Sequence, residues 1–220
     1  QGFGALCVIV PWSLWIARGH LKDVYRKAIH NTSDVDDSHE ILSYRAALIG
    51  LICSGLFIVA WCVASGMSIL VAVLFLAIIF LIWLGMTRVT IEGGVISARM
   101  MRAQPAILHL IGPISLGPAG ITALSLTHSW NQDLKTILMA NLANANRLFE
   151  AYTNERRRLL LAVLIAFCVA VMTSAYYQIS SSYTTGAFNY GGIYGGFIES
   201  VFNGAAGHIR DPFKLKRWHM

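Results

Sequence analysis

Apolar positions dominate four stretches of the chain, and the polar positions between them set the element boundaries. From residue 46 to residue 87 no charged side chain occurs, and Ser65-Gly66-Met67-Ser68 sits at the midpoint. The halves 46–64 and 69–87 each cover roughly 28 Å as helix, close to the roughly 30 Å hydrocarbon core of a bilayer. One crossing needs only half of the run, so the pattern predicts a transmembrane helical hairpin with a tight turn. The uncharged run 159–178, directly after Arg156-Arg157-Arg158, predicts a further span. The first apolar run, 2–17, lacks the basic leader of a signal peptide and reads as a span whose start is missing.

Small residues recur every fourth position on two of these spans. Ala46, Gly50 and Ser54 mark one face of the first hairpin helix, and Ala162, Ala166, Ala170 and Ser174 mark one face of 159–178. Such faces let membrane helices approach closely. Trp12, Trp15, Trp61 and Trp83, with Arg156, Arg157 and Arg158, fall at span ends where aromatic and basic side chains anchor to the membrane interface.

The stretch 103–132 is uncharged but differently built. Pro105, Pro113 and Pro118, with Gly112, Gly117 and Gly120, leave no uninterrupted helix of spanning length. Freed backbone groups at membrane depth must find partners in protein or in a water-filled cavity, so 103–130 reads as a broken or re-entrant segment. A re-entrant course also keeps Arg156–Arg158 on the same side as the basic clusters at 18–27 and 88–102, as the positive-inside bias prefers. Residues 133–155 place Leu134, Ile137, Leu138, Leu142, Ala145, Leu148, Phe149 and Tyr152 on one helical face, predicting an amphipathic helix on the membrane or on neighbouring helices. Residues 18–45 read as a polar loop, and 180–207 as too glycine-rich for a helix.

Composition fits a chain with lipid for a neighbour: 56% hydrophobic, 13% charged, mean hydropathy +0.59. A soluble domain carries about 25% charged residues. The net charge of +6 lies beside the apolar runs, without the aromatic interleaving of a nucleic-acid groove, so no nucleic-acid partner is expected.

Candidate chemistry is sparse. Asp34, Asp36, Asp37, His39 and Glu40 lack the glycine and terminal glutamate of a calcium loop and read as solvated. Cys7, Cys53, Cys62 and Cys168 lie inside apolar runs without metal-ligand spacing and read as small buried hydrophobes. No phosphate loop, zinc-hydrolase or serine-hydrolase motif occurs, so neither an enzyme nor a cofactor or metal is expected. Three groups near the broken segment are candidates for a substrate path: His109, His128 and Glu92. Arg88 and Arg99 flank Glu92, which makes an interfacial ion pair the simpler role. The glycines Gly93-Gly94 imply a bend there.

The runs SYRAALIGL, LGMTRVTIEGG, IGPISLGPAGITALSL and RRRLLLAVLIA, in this order, resemble a family of large bacterial and archaeal membrane proteins. That family is known mainly as domains of unknown function and is distantly similar to oligopeptide-transporter-like proteins. The resemblance implies a multi-pass protein of a prokaryotic inner membrane, of which this chain is an internal portion. It implies a transporter-like domain, whose partners are the bilayer and other membrane chains or missing parts of a longer polypeptide. The alternative is a non-catalytic subunit packed against a larger membrane complex. The expected fold is all-α: a single polytopic domain over 1–220.

Overall fold

The computed structural model describes residues 2–30, 40–95, 101–131, 138–150, 156–186 and 195–213, and every regular element among them is helical. The acidic stretch 34–39, Arg99, Leu134, Ile137 and Tyr152 lie outside the described residues.

The expected hairpin forms from α3 (Tyr44–Ala64) and α4 (Ile69–Gly93). Ser43 caps α3, its side chain accepting from the Ala46 N–H. At the turn, Gly66 takes φ +104°. Its N–H donates to the Val63 carbonyl, and the Met67 N–H donates to the Cys62 carbonyl. This is the Schellman arrangement, which needs a residue able to hold positive φ. Met67 and Cys62 are both buried beneath it. Gly94 ends α4 in the left-handed region, the bend expected at the paired glycines.

α4 is the axis of the molecule. Phe75, Ile79 and Ile82 are fully buried on it, and α1, α3, α5 and α7 all pack against it. α1 (Gly2–Ile16) runs parallel to α4, since Leu6 and Val10 lie against Gly85 while Ser13 meets Arg88. A Cβ on Gly85 would come within 2.5 Å of the Leu6 side chain, so the absent side chain is what admits α1.

Residues 18–30 are not a loop. They form α2 (Arg18–His30), bent 63° from α1 and folded across α3. Leu21, Val24 and Ala28 follow helical spacing, and Ala28 is buried. Polar composition concealed that period. The glycine-rich C-terminal stretch likewise contains a helix, α9 (Gly195–Arg210), which packs on α6.

The segment after α4 is broken as expected. α5 (Ala103–Ile111) and α6 (Pro113–Leu126) are antiparallel, tied at their base where Gln104 bonds Thr127. Ala119 near their apex abuts the α3–α4 turn at Gly66. α7 (Leu138–Glu150) then returns along α4, and Arg147 donates to the Ile91 carbonyl at the far end of that helix. Relative to α4, the chain goes in and comes back to the same end.

The apolar face expected on α7 is divided between the rest of the chain and the surroundings. Ala140 is buried and Ala143, Asn144 and Asn146 are half-buried. Leu138 and Leu148 are 56% and 67% exposed. Leu142 and Ala145 are half-buried as well, so α7 packs on α4 with part of its apolar face while Leu138 and Leu148 face the surroundings, as an amphipathic helix at a membrane allows.

α8 (Arg156–Thr185) completes the set of helices long and apolar enough to cross a membrane, with α3 and α4. In α4, 39% of the apolar window is buried within the chain, but only 6% in α3 and in α8. Leucine, valine and phenylalanine cover these outer faces, an arrangement water does not tolerate and hydrocarbon does. The chain is a membrane protein. Cys7, Cys53 and Cys168 lie on such outer surfaces rather than in the interior, and only Cys62 is buried.

Gly117 takes φ +66° and ψ 171° ahead of Pro118, a combination that a Cβ opposes. Gly117→Ala therefore destabilises the fold by roughly 1–3 kcal/mol, although the new Cβ meets only open space. Gly50→Ala, in mid-helix with equally open space, stabilises by roughly 0.5–1 kcal/mol. Reversible unfolding in mixed SDS–detergent micelles measures both, and equal stabilities would refute the break at Gly117.

Candidate functional site

Two Gly-Pro steps shape the broken hairpin. Gly112 (φ +83°, ψ 147°) precedes Pro113, and Gly117 precedes Pro118. Proline forces an extended ψ on the residue before it, and only glycine combines that ψ with positive φ cheaply. Each step thus stops one helical run and starts the next, with proline in its preferred first-turn position.

Between α5, α6 and α9 lies a cavity of about 320 Å³. His109 of α5 and His128 of the 3₁₀ turn Thr127–Ser129 both line it, so two of the three substrate-path candidates come together. α9 adds His208, which the sequence reading missed because it saw no helix there. Phe213 packs between two of the imidazoles, with ring centroids 5.7 Å from His109 and 5.6 Å from His208. Arg102 and Gln104 line it too, and no Asp or Glu is among the lining residues. Nδ1 of His128 lies 3.1 Å from the Ser125 carbonyl. A carbonyl only accepts, so Nδ1 carries the proton and the neutral ring keeps Nε2 as an acceptor.

Gln104 is the fixed point of the wall, at 3% exposure. Its Nε2 donates to Thr127 Oγ1 at 3.0 Å and to the Asn131 carbonyl at 3.2 Å. Thr127 Oγ1 in turn donates to the Leu124 carbonyl at 2.6 Å. Both amide hydrogens are committed, which fixes the orientation of the carboxamide and leaves its Oε1 buried without a donor.

Glu92 stands apart from the histidines. Its carboxylate accepts from Arg88 Nε at 2.6 Å, one helical turn away, and Arg88 also donates to Ser13 Oγ. This ion pair edges a separate, mostly apolar cavity of about 300 Å³ between α1 and α4. Thr87, which lines it, has a buried hydroxyl without a hydrogen-bond partner.

The remaining candidates scatter over the surface. Trp12 and Trp15 are exposed on α1, and the Arg18 guanidinium sits 4.6 Å over the Trp15 ring. Trp61 is half-buried, edge-on to Trp130, which also meets Phe75. Trp83 meets Phe80 edge-on. Arg158 is exposed at the start of α8, while the side chains of Arg156 and Arg157 lie outside the described set. Gly50, Ser54, Ala162, Ala166 and Ala170 are all exposed, and nothing in the chain approaches within 4 Å of a Cβ on Gly50. The small-residue faces predicted for helix contact therefore have no partner helix among the described residues.

Among the described residues no three His, Cys, Asp or Glu side chains stand close enough to share a metal ion. The cavity sets a few hydrogen-bonding groups in a mostly apolar wall.

The chain belongs to DUF6785, a family of unknown function. The family model matches residues 1–220. No curated protein and no solved structure matches the chain. Membership in DUF6785 fixes no activity, so function is read from the cavity.

Thr127→Val keeps the side-chain shape but deletes the acceptor for Gln104, leaving a buried amide hydrogen unpaired. It destabilises the protein by about 1–3 kcal/mol. Thr122→Val, on the exposed face of α6, changes stability by less than about 0.5 kcal/mol. Thermal unfolding in detergent compares the two, and identical shifts would show that the Gln104 network carries no weight.

Proposed function

We propose that this chain is a transporter-like membrane domain whose substrate path runs through the cavity between α5, α6 and α9. The observation that carries the reading is a helical hairpin interrupted at two Gly-Pro steps, whose helices α5 and α6 line a cavity holding three histidines, within a chain whose outer faces are apolar. Pro118 has no N–H, so the Ile114 carbonyl loses its helical donor. Irregular backbone at membrane depth is tolerated where it lines a cavity, and interrupted helices of this kind form substrate sites in secondary transporters. His109 and His128 are the path residues in this reading, joined by His208. Glu92 serves as the ion pair at the end of α4.

The reading includes no catalytic step and no cofactor. Uptake into proteoliposomes tests it, using a labelled panel of organic anions, amino acids and short peptides. Wild type moves at least one class above background, and His109→Ala and His128→Ala slow that flux about tenfold, the equivalent of roughly 1.4 kcal/mol. Background flux for the whole panel removes the assignment.

A second reading has its own observation. The small-residue faces of α3 and α8 are exposed, as the contact surface of an accessory subunit in a larger membrane complex would be when viewed alone. On this reading, extraction in a mild detergent yields a particle heavier than one chain, and Gly50→Leu releases the single chain. Native mass measurement decides it, and a monomeric wild type excludes it.

A further inference from the structure

We infer that α2 is a membrane-surface helix whose Leu21, Tyr25 and Ile29 stripe seats at the boundary between lipid headgroups and acyl chains. The inference concerns a part of the molecule away from the cavity and stands independently of the transporter and subunit readings. α3 fixes the depth. Its 21 residues cover roughly 31 Å, the thickness of the hydrocarbon core, so Tyr44 at its start stands at the bilayer boundary. The His20 ring meets the Tyr44 ring edge-on at 6.1 Å, which puts the first turn of α2 at that same boundary. At the end of α1, Trp15 is exposed with the Arg18 guanidinium over its ring, a pairing suited to the headgroup level.

The bend sets the course of the helix from there. The axis of α2 lies 63° from that of α1. Measured along α1, the 13 residues of α2 change depth by only roughly 9 Å while covering about 20 Å of length. The helix therefore stays near the level at which it starts.

Its two faces match that position. α2 packs on α3, with Val24 half-buried and Ala28 buried. Leu21, Tyr25 and Ile29, each four residues from the next, are 44%, 56% and 51% exposed. Arg18 and Lys22 are exposed on the same side, whereas Asp23 lies about 160° around the helix from Tyr25. The stripe continues the exposed surface of Trp12, Trp15 and Ile16 at the end of α1. At a bilayer surface such a stripe enters the acyl layer, and the long stems of Arg18 and Lys22 lie along it with their charged ends among the headgroups.

Full-length protein in phosphatidylcholine vesicles tests the assignment. This lipid has no net charge and suffices, because the apolar stripe holds the helix. A fluorescent amino acid replaces Tyr25, Ile29 or Asp23, one at a time. Phospholipid brominated near the top of its acyl chains quenches the label at Tyr25 and at Ile29 at least about twofold more than at Asp23, and aqueous iodide shows the reverse order. Iodide quenching at Tyr25 and Ile29 as strong as at Asp23 puts the stripe in water and overturns the inference. Protection of the stripe from both quenchers puts it under protein and overturns the inference equally. Should the labelled chains fail to fold, wild type decides the matter. A lipid-soluble carbene precursor then modifies Leu21, Tyr25 and Ile29 while a water-soluble one modifies Asp23, and any other pattern refutes the surface helix.

Discussion

A hydrocarbon surrounding offers no hydrogen bonds, and that single constraint organises this chain. Each backbone N–H and C=O must be satisfied from within, so the described residues fold into helices, with breaks only where the sequence supplies special residues. The turn between α3 and α4 closes its carbonyls with Gly66 and Met67. The hydroxyls of Thr90, Ser125 and Thr127 bond carbonyls one turn back on their own helices. Leucine and phenylalanine go outward because no aqueous penalty drives them in, and the interior is left to α4, to small residues and to a few polar groups.

The same constraint explains why polar chemistry gathers around α5 and α6. Gly112-Pro113 and Gly117-Pro118 interrupt the helical run, and Arg102, Gln104 and His109, with His128 just beyond α6, line the cavity beside that hairpin. Gln104 and Thr127 clamp the two strands of this hairpin at its base. Ala103, Ile107, Ala123 and Leu124 bind it to the buried surface of α4. A break that would melt an isolated helix is held in place by a core on one side and a hydrogen-bond clamp at its base.

How much of this was legible in sequence follows from which physics each element uses. The hairpin was readable because length, absence of charge and a central glycine are local signals, and the broken segment because proline acts on its own turn. α2 was not, since its polar composition was weighed above the spacing of Leu21, Val24 and Ala28. α9 was not, since its glycines were weighed against helix, whereas the helix is held by packing on α6 through residues such as the buried Ala205. The amphipathic pattern of α7 was legible, but not which of its apolar residues meet the chain: Leu142 and Ala145 are half-buried while Leu138 and Leu148 face out, since hydrocarbon accepts leucine as readily as a protein interior does. The company of His109, His128 and His208 depends on the folding of α9 against α6, and the separation of Glu92 depends on the path of α1. Neither contact leaves a mark on local sequence.

The walls of the cavity are built to different standards, and this bears on what substitutions there report. α5 and α6 belong to the cluster around Phe75 and Ile79, so a change in their inner faces disturbs packing density throughout the molecule. α9 packs on α6, with Ala205 buried, and its described residues do not enter that cluster. Charge added on α9 therefore acts on the cavity's electrostatics without passing through the core, whereas a cavity residue on α5 couples ligand binding to the stability of the whole. Variants on α9 separate those two effects, and variants at Gln104 or Thr127 cannot.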